Sequence, residues 1–307
     1  NNPDNIYFFL LCIKYGLKNH EKLKNVFEYY KNLVDQENSI LAKLIVSICY
    51  TLQIGMDKEK KAFEWFLNWA KEGNSFAQNN LASYYQYGIG IDKDEKRAFK
   101  WFLISAERNN PIAQNNLGYC YQYGTGIDKD EKKAFEWYLK SSEVGNFDAQ
   151  NNLAYCYRYG IGIVKNEKKA FEWFLISAKA GNSNAQNNLA SCYQDGIGIN
   201  KNERKAFEWY LESSKMENHG AQNNLGNCYQ YGIGTDVDKN KAFKCYLRSA
   251  ERKDPIAQNN LAYCYQYGIG TNIDEKKAFE LYLKSAEAGN SDAQSNLEYC
   301  YRFGIGL

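Results

Sequence analysis

Nine cysteines and two histidines are the side chains with the widest chemical reach in this sequence of 307 residues, and their spacing limits what they can do. Six of them, Cys120, Cys156, Cys192, Cys228, Cys264 and Cys300, recur every 36 residues. Stacked helices lie ~8 to 10 Å apart, beyond the ~7 Å Cα separation that a disulfide tolerates, so neighbours in this ladder cannot pair without distortion. Reduced, buried thiols are the expectation. Cys228 and Cys245 fall in one repeat and make the one conceivable bridge. A zinc site would need CxxC spacing or histidine partners, and neither is present. His20 falls in a worn segment and His219 in a connector, so no histidine-based triad can be assembled from them. No catalytic residue, metal or cofactor is assigned, and the chain reads as non-enzymatic.

Two other patterns lose their chemistry on inspection. Gly160 and Gly162 imitate part of a phosphate loop, but the Gly-x-Gly follows a helix and has no Gly-Lys-Ser/Thr ending, so turn formation explains it. The run Lys129 to Lys133 mixes Asp, Glu and Lys at a helix start, which reads as a capped, solvated face rather than a basic patch.

Asparagine and tyrosine are more informative. Asn79, Asn115, Asn151, Asn187, Asn223 and Asn259 form one ladder, and Asn80, Asn116, Asn152, Asn188, Asn224 and Asn260 form a second beside it. The second is expected to be structural, bonding backbone between units. On the same helix face as the first lie Tyr119, Tyr155, Tyr263 and Tyr299, with Tyr87, Tyr123, Tyr159, Tyr231 and Tyr267. Amphipathic rings at this density are typical of recognition surfaces, and an Asn amide can both donate to and accept from a ligand backbone. Near-identical copies also arise by recent duplication, so repetition alone does not establish use.

The elements that position these ladders follow from the period. Starts at Ala77, Ala113, Ala149, Ala185, Ala221, Ala257 and Ala293 give a 36-residue repeat, the signature of a stacked helical array. Within one copy, Ala113, Leu117, Cys120, Tyr121 and Gly124 share one side of a first helix, helix A, with Asn115, Tyr119, Gln122 and Tyr123 opposite. Gly124 and Gly126 stop it. Asp130 caps a second helix, helix B, whose apolar stripe is Ala134, Trp137, Tyr138, Ser141 and Ser142. Gly145 ends that helix, and Asn146 to Asp148 connect to the next copy. Each unit is an antiparallel hairpin, and no strand pattern competes. The expected organisation is two worn repeats over 5–76, six regular ones over 77–292 and a helix A alone over 293–307. Beginning and ending within repeats, the chain reads as a piece of something longer.

The string Ala113, Gln114, Asn116, Leu117, Gly118, Tyr121, Gly124, Gly126, Asp130, Lys133, Ala134, Trp137 and Tyr138 resembles the Sel-one-like repeat, a relative of the tetratricopeptide repeat. The resemblance implies an all-α, right-handed superhelix of hairpins, helix A inside and helix B outside, used as an adaptor or scaffold. It carries no catalytic residues. Relatives assemble quality-control, cell-wall-synthesis and signalling complexes, and such arrays can be joined to kinases, so a signalling domain in the same full-length chain is one implied partner. Secreted bacterial relatives carry a disulfide in each repeat, for which only Cys228 and Cys245 are placed here. The Trp at positions 65, 101, 137, 173 and 209 becomes Cys245 and Leu281, which predicts smaller cores and a softer C-terminal end.

Composition bounds the partner. A net charge of +2, with 38 basic and 36 acidic residues interspersed, implies no field that would recruit nucleic acid or an anionic membrane. The longest apolar run, Ile6 to Ile13, falls short of the ~18 residues of a membrane span. No Asn-x-Ser/Thr acceptor occurs, consistent with a cytoplasmic protein. The expected function is a scaffold whose concave helix-A face holds an extended peptide or protein. A polyproline-II strand advances ~3.1 Å per residue, so about three residues would span one unit. An RNA-reading array is the alternative, opposed by the neutral charge and the uniform face, and carbohydrate binding is the third.

Overall fold

Local sequence signals dictate where each helix starts and stops. The computed structural model describes residues 20–37, the positions 42, 43, 45, 46 and 49, and residues 59–307. The apolar run Ile6 to Ile13 and the first part of the worn repeat that starts near Asn5 lie outside the described residues. After α1 (His20–Glu37) and α2 (Glu59–Lys71) come α3 (Ser75–Tyr87) with α4 (Glu95–Glu107), and α5 (Pro111–Tyr123) with α6 (Glu131–Glu143). There follow α7 (Phe147–Tyr159) with α8 (Glu167–Lys179), α9 (Ser183–Asp195) with α10 (Glu203–Lys215), and α11 (His219–Tyr231) with α12 (Lys239–Glu251). The last are α13 (Pro255–Tyr267) with α14 (Glu275–Glu287), and α15 (Ser291–Phe303). No strand occurs among the described residues. Consecutive helix pairs pack in a repeating solenoid pattern, with α3, α5, α7, α9, α11, α13 and α15 as helix A.

Helix A starts two residues earlier than the Ala-Gln pair. Asn146 is its N-cap and not a connector, because its side chain accepts from the Ala149 amide and satisfies an otherwise orphaned donor. His219 likewise is the first residue of α11 and not part of a connector. At the other end Gly124 takes φ 73°, the left-handed conformation that closes the helix with its amide on the Cys120 carbonyl. Helix B is capped as expected, Asp130 Oδ1 accepting from the Lys133 amide at 3.0 Å.

The chain forms two compact units, residues 1–140 and 141–307. In the first, one apolar cluster runs from Phe27 of α1 through Phe66, Leu81 and Phe102 to Leu117 of α5. Val26, Phe27 and Tyr30 are buried, as are Ala62, Phe63 and Phe66 at the positions 36 residues on. In the second, Tyr246 packs with Leu261 and Cys264, and Tyr282 with Ala262, Ala278 and Cys300. Helix B also ties itself to its own hairpin: Ser177 Oγ donates to the Phe147 carbonyl at 2.7 Å and Ser285 Oγ to that of Pro255 at 2.6 Å.

The aromatic layer differs from expectation by one residue. Trp137 is only half-buried, with Lys140 Nζ 4.2 Å above its ring, whereas Tyr138 beside it is 1% exposed. The fully buried position stays aromatic to the end, as Phe66, Phe102, Tyr138, Phe174, Tyr246 and Tyr282. Replacement of Trp by Cys245 and Leu281 therefore thins the outer layer and leaves the innermost core intact. Tyr138→Ala should cost ~3 to 5 kcal/mol and Trp137→Ala clearly less, since one leaves a sealed cavity and the other a site open to water. Urea melts of the two variants, read by circular dichroism, check the order.

Candidate functional site

The cysteine ladder is chemically quiet. Cys120, Cys156, Cys192, Cys228, Cys264 and Cys300 are buried free thiols, and Cys245 is a half-buried one, so Cys228 and Cys245 are unpaired. Burial pushes the thiols of Cys120, Cys228 and Cys264 up to about 12, reinforced at Cys120 by the nearby Glu95 carboxylate. A thiolate is the nucleophilic form, and these positions disfavour it. No group of three metal-ligating side chains occurs among the described residues.

The Gly-x-Gly turns act in packing. A Cβ on Gly126, which holds φ 72°, would lie within 2.0 Å of the Glu95 carbonyl oxygen at the start of α4. The second glycine is thus where one hairpin's turn meets the backbone of the preceding helix B, a contact only a bare Cα permits. The same approach recurs in the second unit, as at Gly234 over Glu203.

The two asparagine ladders are partners of each other. Asn116 Nδ2 donates to Asn79 Oδ1 at 3.0 Å in the first unit. In the second, Asn188 donates to Asn151, Asn224 to Asn187, Asn260 to Asn223 and Asn296 to Asn259, all at 2.9 to 3.0 Å. The second ladder therefore bonds side chain to side chain between successive hairpins of one unit, and not to backbone as expected. Asn80 is different: its Nδ2 reaches the Phe76 carbonyl of its own helix. The residue 36 positions before Asn79 is Lys43, an ammonium with no acceptor to offer, and it pairs with Glu72 at 2.6 Å. In the first ladder Asn79, Asn223 and Asn259 are buried, while Asn115, Asn151 and Asn187 are half-buried.

The tyrosines stand in solvent. Tyr119 and Tyr123 pair with ring centroids 4.4 Å apart on α5, Tyr155 and Tyr159 at 4.7 Å on α7, and Tyr263 and Tyr267 at 4.5 Å on α13. Each pair is one helical turn apart, and all six rings are exposed, as are Tyr87 and Tyr231. On α9 the same two positions are Ser191 and Asp195, joined by a 3.2 Å hydrogen bond, and Arg158 of α7 donates to Ser191.

Other joint contacts were not singled out from the sequence. Phe99 meets Tyr121 edge-on at 5.4 Å and Phe171 meets Tyr193 at 5.3 Å, each a helix B ring on the next helix A. Lys133, bound to the cap Asp130, lies 5.3 Å over the Tyr121 ring. The aromatic and lysine positions recur at the 36-residue period, which is the signal that exposes them.

The profile of the Sel1 repeat matches residues 42–74, 75–110, 111–146, 147–182, 183–218, 219–254 and 255–290. The chain belongs to the Sel1 repeat family. Among solved structures, it is similar to a protective antigen of uropathogenic Escherichia coli strains displaying an SLR fold, with 30% identity and a TM-score of 0.66 over 93% of this chain and 61% of the antigen. It thus spans about 61% of that relative's length. A Sel1 repeat protein from Oxalobacter formigenes is 28% identical, with a TM-score of 0.71 over 79% of this chain and 96% of its own. Yeast Tom70, 15% identical with a TM-score of 0.50 over 92% of this chain and 58% of its own, shares the fold alone. No curated protein matches the sequence. Sel1 repeat proteins typically serve as protein-interaction scaffolds and are generally non-catalytic. Among the described residues, no helix is long and apolar enough to cross a membrane.

The thiols give this Sel1 array a pH signature. Unfolded cysteines ionise near their ordinary 9.0 and the buried ones near 12, so above pH 9 the unfolded state loses protons first. Stability should be insensitive to these groups below that point and fall as pH rises towards 12. Urea midpoints across the alkaline range, compared with a Cys120→Ala, Cys228→Ala, Cys264→Ala variant, should show the fall diminished in the variant.

Proposed function

We propose that the exposed face of the A helices in each unit holds an extended segment of a protein partner, with the paired tyrosines as its principal contacts. The observation that carries this reading is the pairing of large rings in solvent at Tyr119 with Tyr123, Tyr155 with Tyr159, and Tyr263 with Tyr267. Such rings offer wide contact area at little cost in rotamer entropy, and their hydroxyls accept or donate to a ligand backbone. Tyr87 and Tyr231 extend the row as single rings. The half-buried Asn115, Asn151 and Asn187 border it, and the oxygens of Asn79, Asn151, Asn187, Asn223 and Asn259 are each engaged by the next hairpin, which fixes the spacing of the helices. A polyproline-II segment would advance about three residues per hairpin, so affinity should grow with the number of hairpins engaged and sequence preference should stay loose.

The double change Tyr155→Ser with Tyr159→Asp tests this cleanly, because α9 already carries Ser191 and Asp195 at the same two places. Peptides selected by display against the unaltered chain should bind the variant about tenfold more weakly, with an unchanged melting curve. Undiminished affinity would move the binding surface away from these rings.

A further inference from the structure

The tyrosine face repeats on a longer period than the hairpin. At the position of Tyr119, Ser47 and Ser83 precede Tyr119 and Tyr155, and Ser191 and Asn227 precede Tyr263 and Tyr299, so the order returns after four repeats of 36 residues. The same register shows far from this face. Lys100 and Lys244 stand where the other B helices carry Glu64, Glu136, Glu172, Glu208 and Glu280, and Pro111 and Pro255 each open the helix that follows.

One matching set of rings lies wholly within each compact unit. In the first, α3 presents Tyr87 and α5 the pair Tyr119 and Tyr123; in the second, α11 presents Tyr231 and α13 the pair Tyr263 and Tyr267. Tyr87 is 70% exposed and Tyr231 65%, and the paired rings lie 4.4 and 4.5 Å apart. The two helices of each set are held by the same joint. Asn116 donates to Asn79 at 3.0 Å and Asn260 to Asn223 at 2.9 Å, and Phe99 meets Tyr121 at 5.4 Å as Phe243 meets Tyr265 at 5.3 Å. The sets therefore match in composition and in the spacing that presents it. Within the second unit α9 interrupts the row, since its two places on this face hold Ser191 and Asp195, bonded to each other and joined by Arg158.

Duplication of a four-hairpin block explains the register but not which exposed residues were kept. Elsewhere on the same two blocks exposed positions have changed: Lys93 is matched by Val237, Lys96 by Asn240 and Ile104 by Arg248. The half-buried Trp101 and Trp137 have likewise become Cys245 and Leu281. Against that drift all six exposed rings are identical. We propose that the chain carries two equivalent docking sites, Tyr87 with Tyr119 and Tyr123 in one unit and Tyr231 with Tyr263 and Tyr267 in the other, each taking a separate copy of the same extended protein segment. This rests on the reading that the rings hold such a segment. At ~3.1 Å per residue and ~8 to 10 Å per hairpin, each site spans about six residues. So short a contact is weak alone, and a partner that presents its segment twice, as a repeated or dimeric protein does, gains from engaging both.

The test is calorimetric titration of the whole chain with a short peptide selected by display against it, about six residues long. Two peptides should bind per chain, with like affinities. Tyr119→Ser with Tyr123→Asp disables the first site and Tyr263→Ser with Tyr267→Asp the second, each pair copying what α9 already carries, so melting curves should not move. Either variant should bind one peptide in place of two with the remaining affinity unchanged, and the combined variant none. A single peptide bound by the unaltered chain, complete loss in either one-site variant, or two peptides still bound by either, would overturn the two-site inference and leave the tyrosine reading standing. Undiminished binding to the combined variant, or no peptide recovered by display, would overturn both.

Discussion

Within each unit, a hairpin approaches its predecessor through a point where no side chain fits. Gly126 lies so close to the Glu95 carbonyl that even a methyl group would collide with it, and that approach sets the distance at which every other joint contact must work. At that distance an asparagine amide reaches the next asparagine at 2.9 to 3.0 Å, and a helix B phenylalanine meets the next helix A tyrosine edge-on at 5.3 to 5.4 Å. A backbone contact, a polar bond and an aromatic contact thus share one spacing. Because each hairpin touches only its neighbours, stability accumulates joint by joint and has no single centre.

How much of this was legible depended on whether the signal was local. Caps are local: Asp130 and Gly124 mark their helix ends in the sequence, and the structure uses both. Asn146 carried the same kind of signal but was hidden by the repeat's phase, which begins most conspicuously at Ala-Gln, two residues inside the helix. The solvent side of helix A was also legible, since Tyr119 and Tyr123 fall opposite Ala113, Leu117 and Cys120.

Two features were not legible, for different reasons. Trp137 and Tyr138 are adjacent aromatics about 100° apart on one helix, and both lie within the width of an apolar stripe. Which one is sealed depends on the neighbouring helix B, which periodicity within one helix does not describe. The asparagine bridge runs from residue i to residue i+37, one repeat plus one position. Ladders read at a strict period of 36 place each asparagine beside its own copies, and so miss that the bonds cross from one ladder to the other. Leu281 carried a clear signal, the loss of a tryptophan, whose consequence lay in the outer layer and not in the core where it was expected.

Variation among the copies bears on whether repetition records use or merely history. Joint positions scarcely change: the second turn glycine is present as Gly90, Gly126, Gly162, Gly198, Gly234, Gly270 and Gly306, and the bridging asparagines run unbroken from Asn79 to Asn259. Duplication alone would leave the exposed face equally uniform. Instead the place of Tyr119 is taken by Ser83, Ser191 and Asn227, and that of Tyr123 by Asp195. The joint tolerates no such exchange because its geometry is fixed by backbone contact, whereas a solvent-facing ring can be replaced by a hydroxyl or a carboxylate without strain. Tyrosine nonetheless occupies most of these positions, with its ring exposed. Uncovered amphipathic rings of that kind are the basis of the proposed contact with a partner.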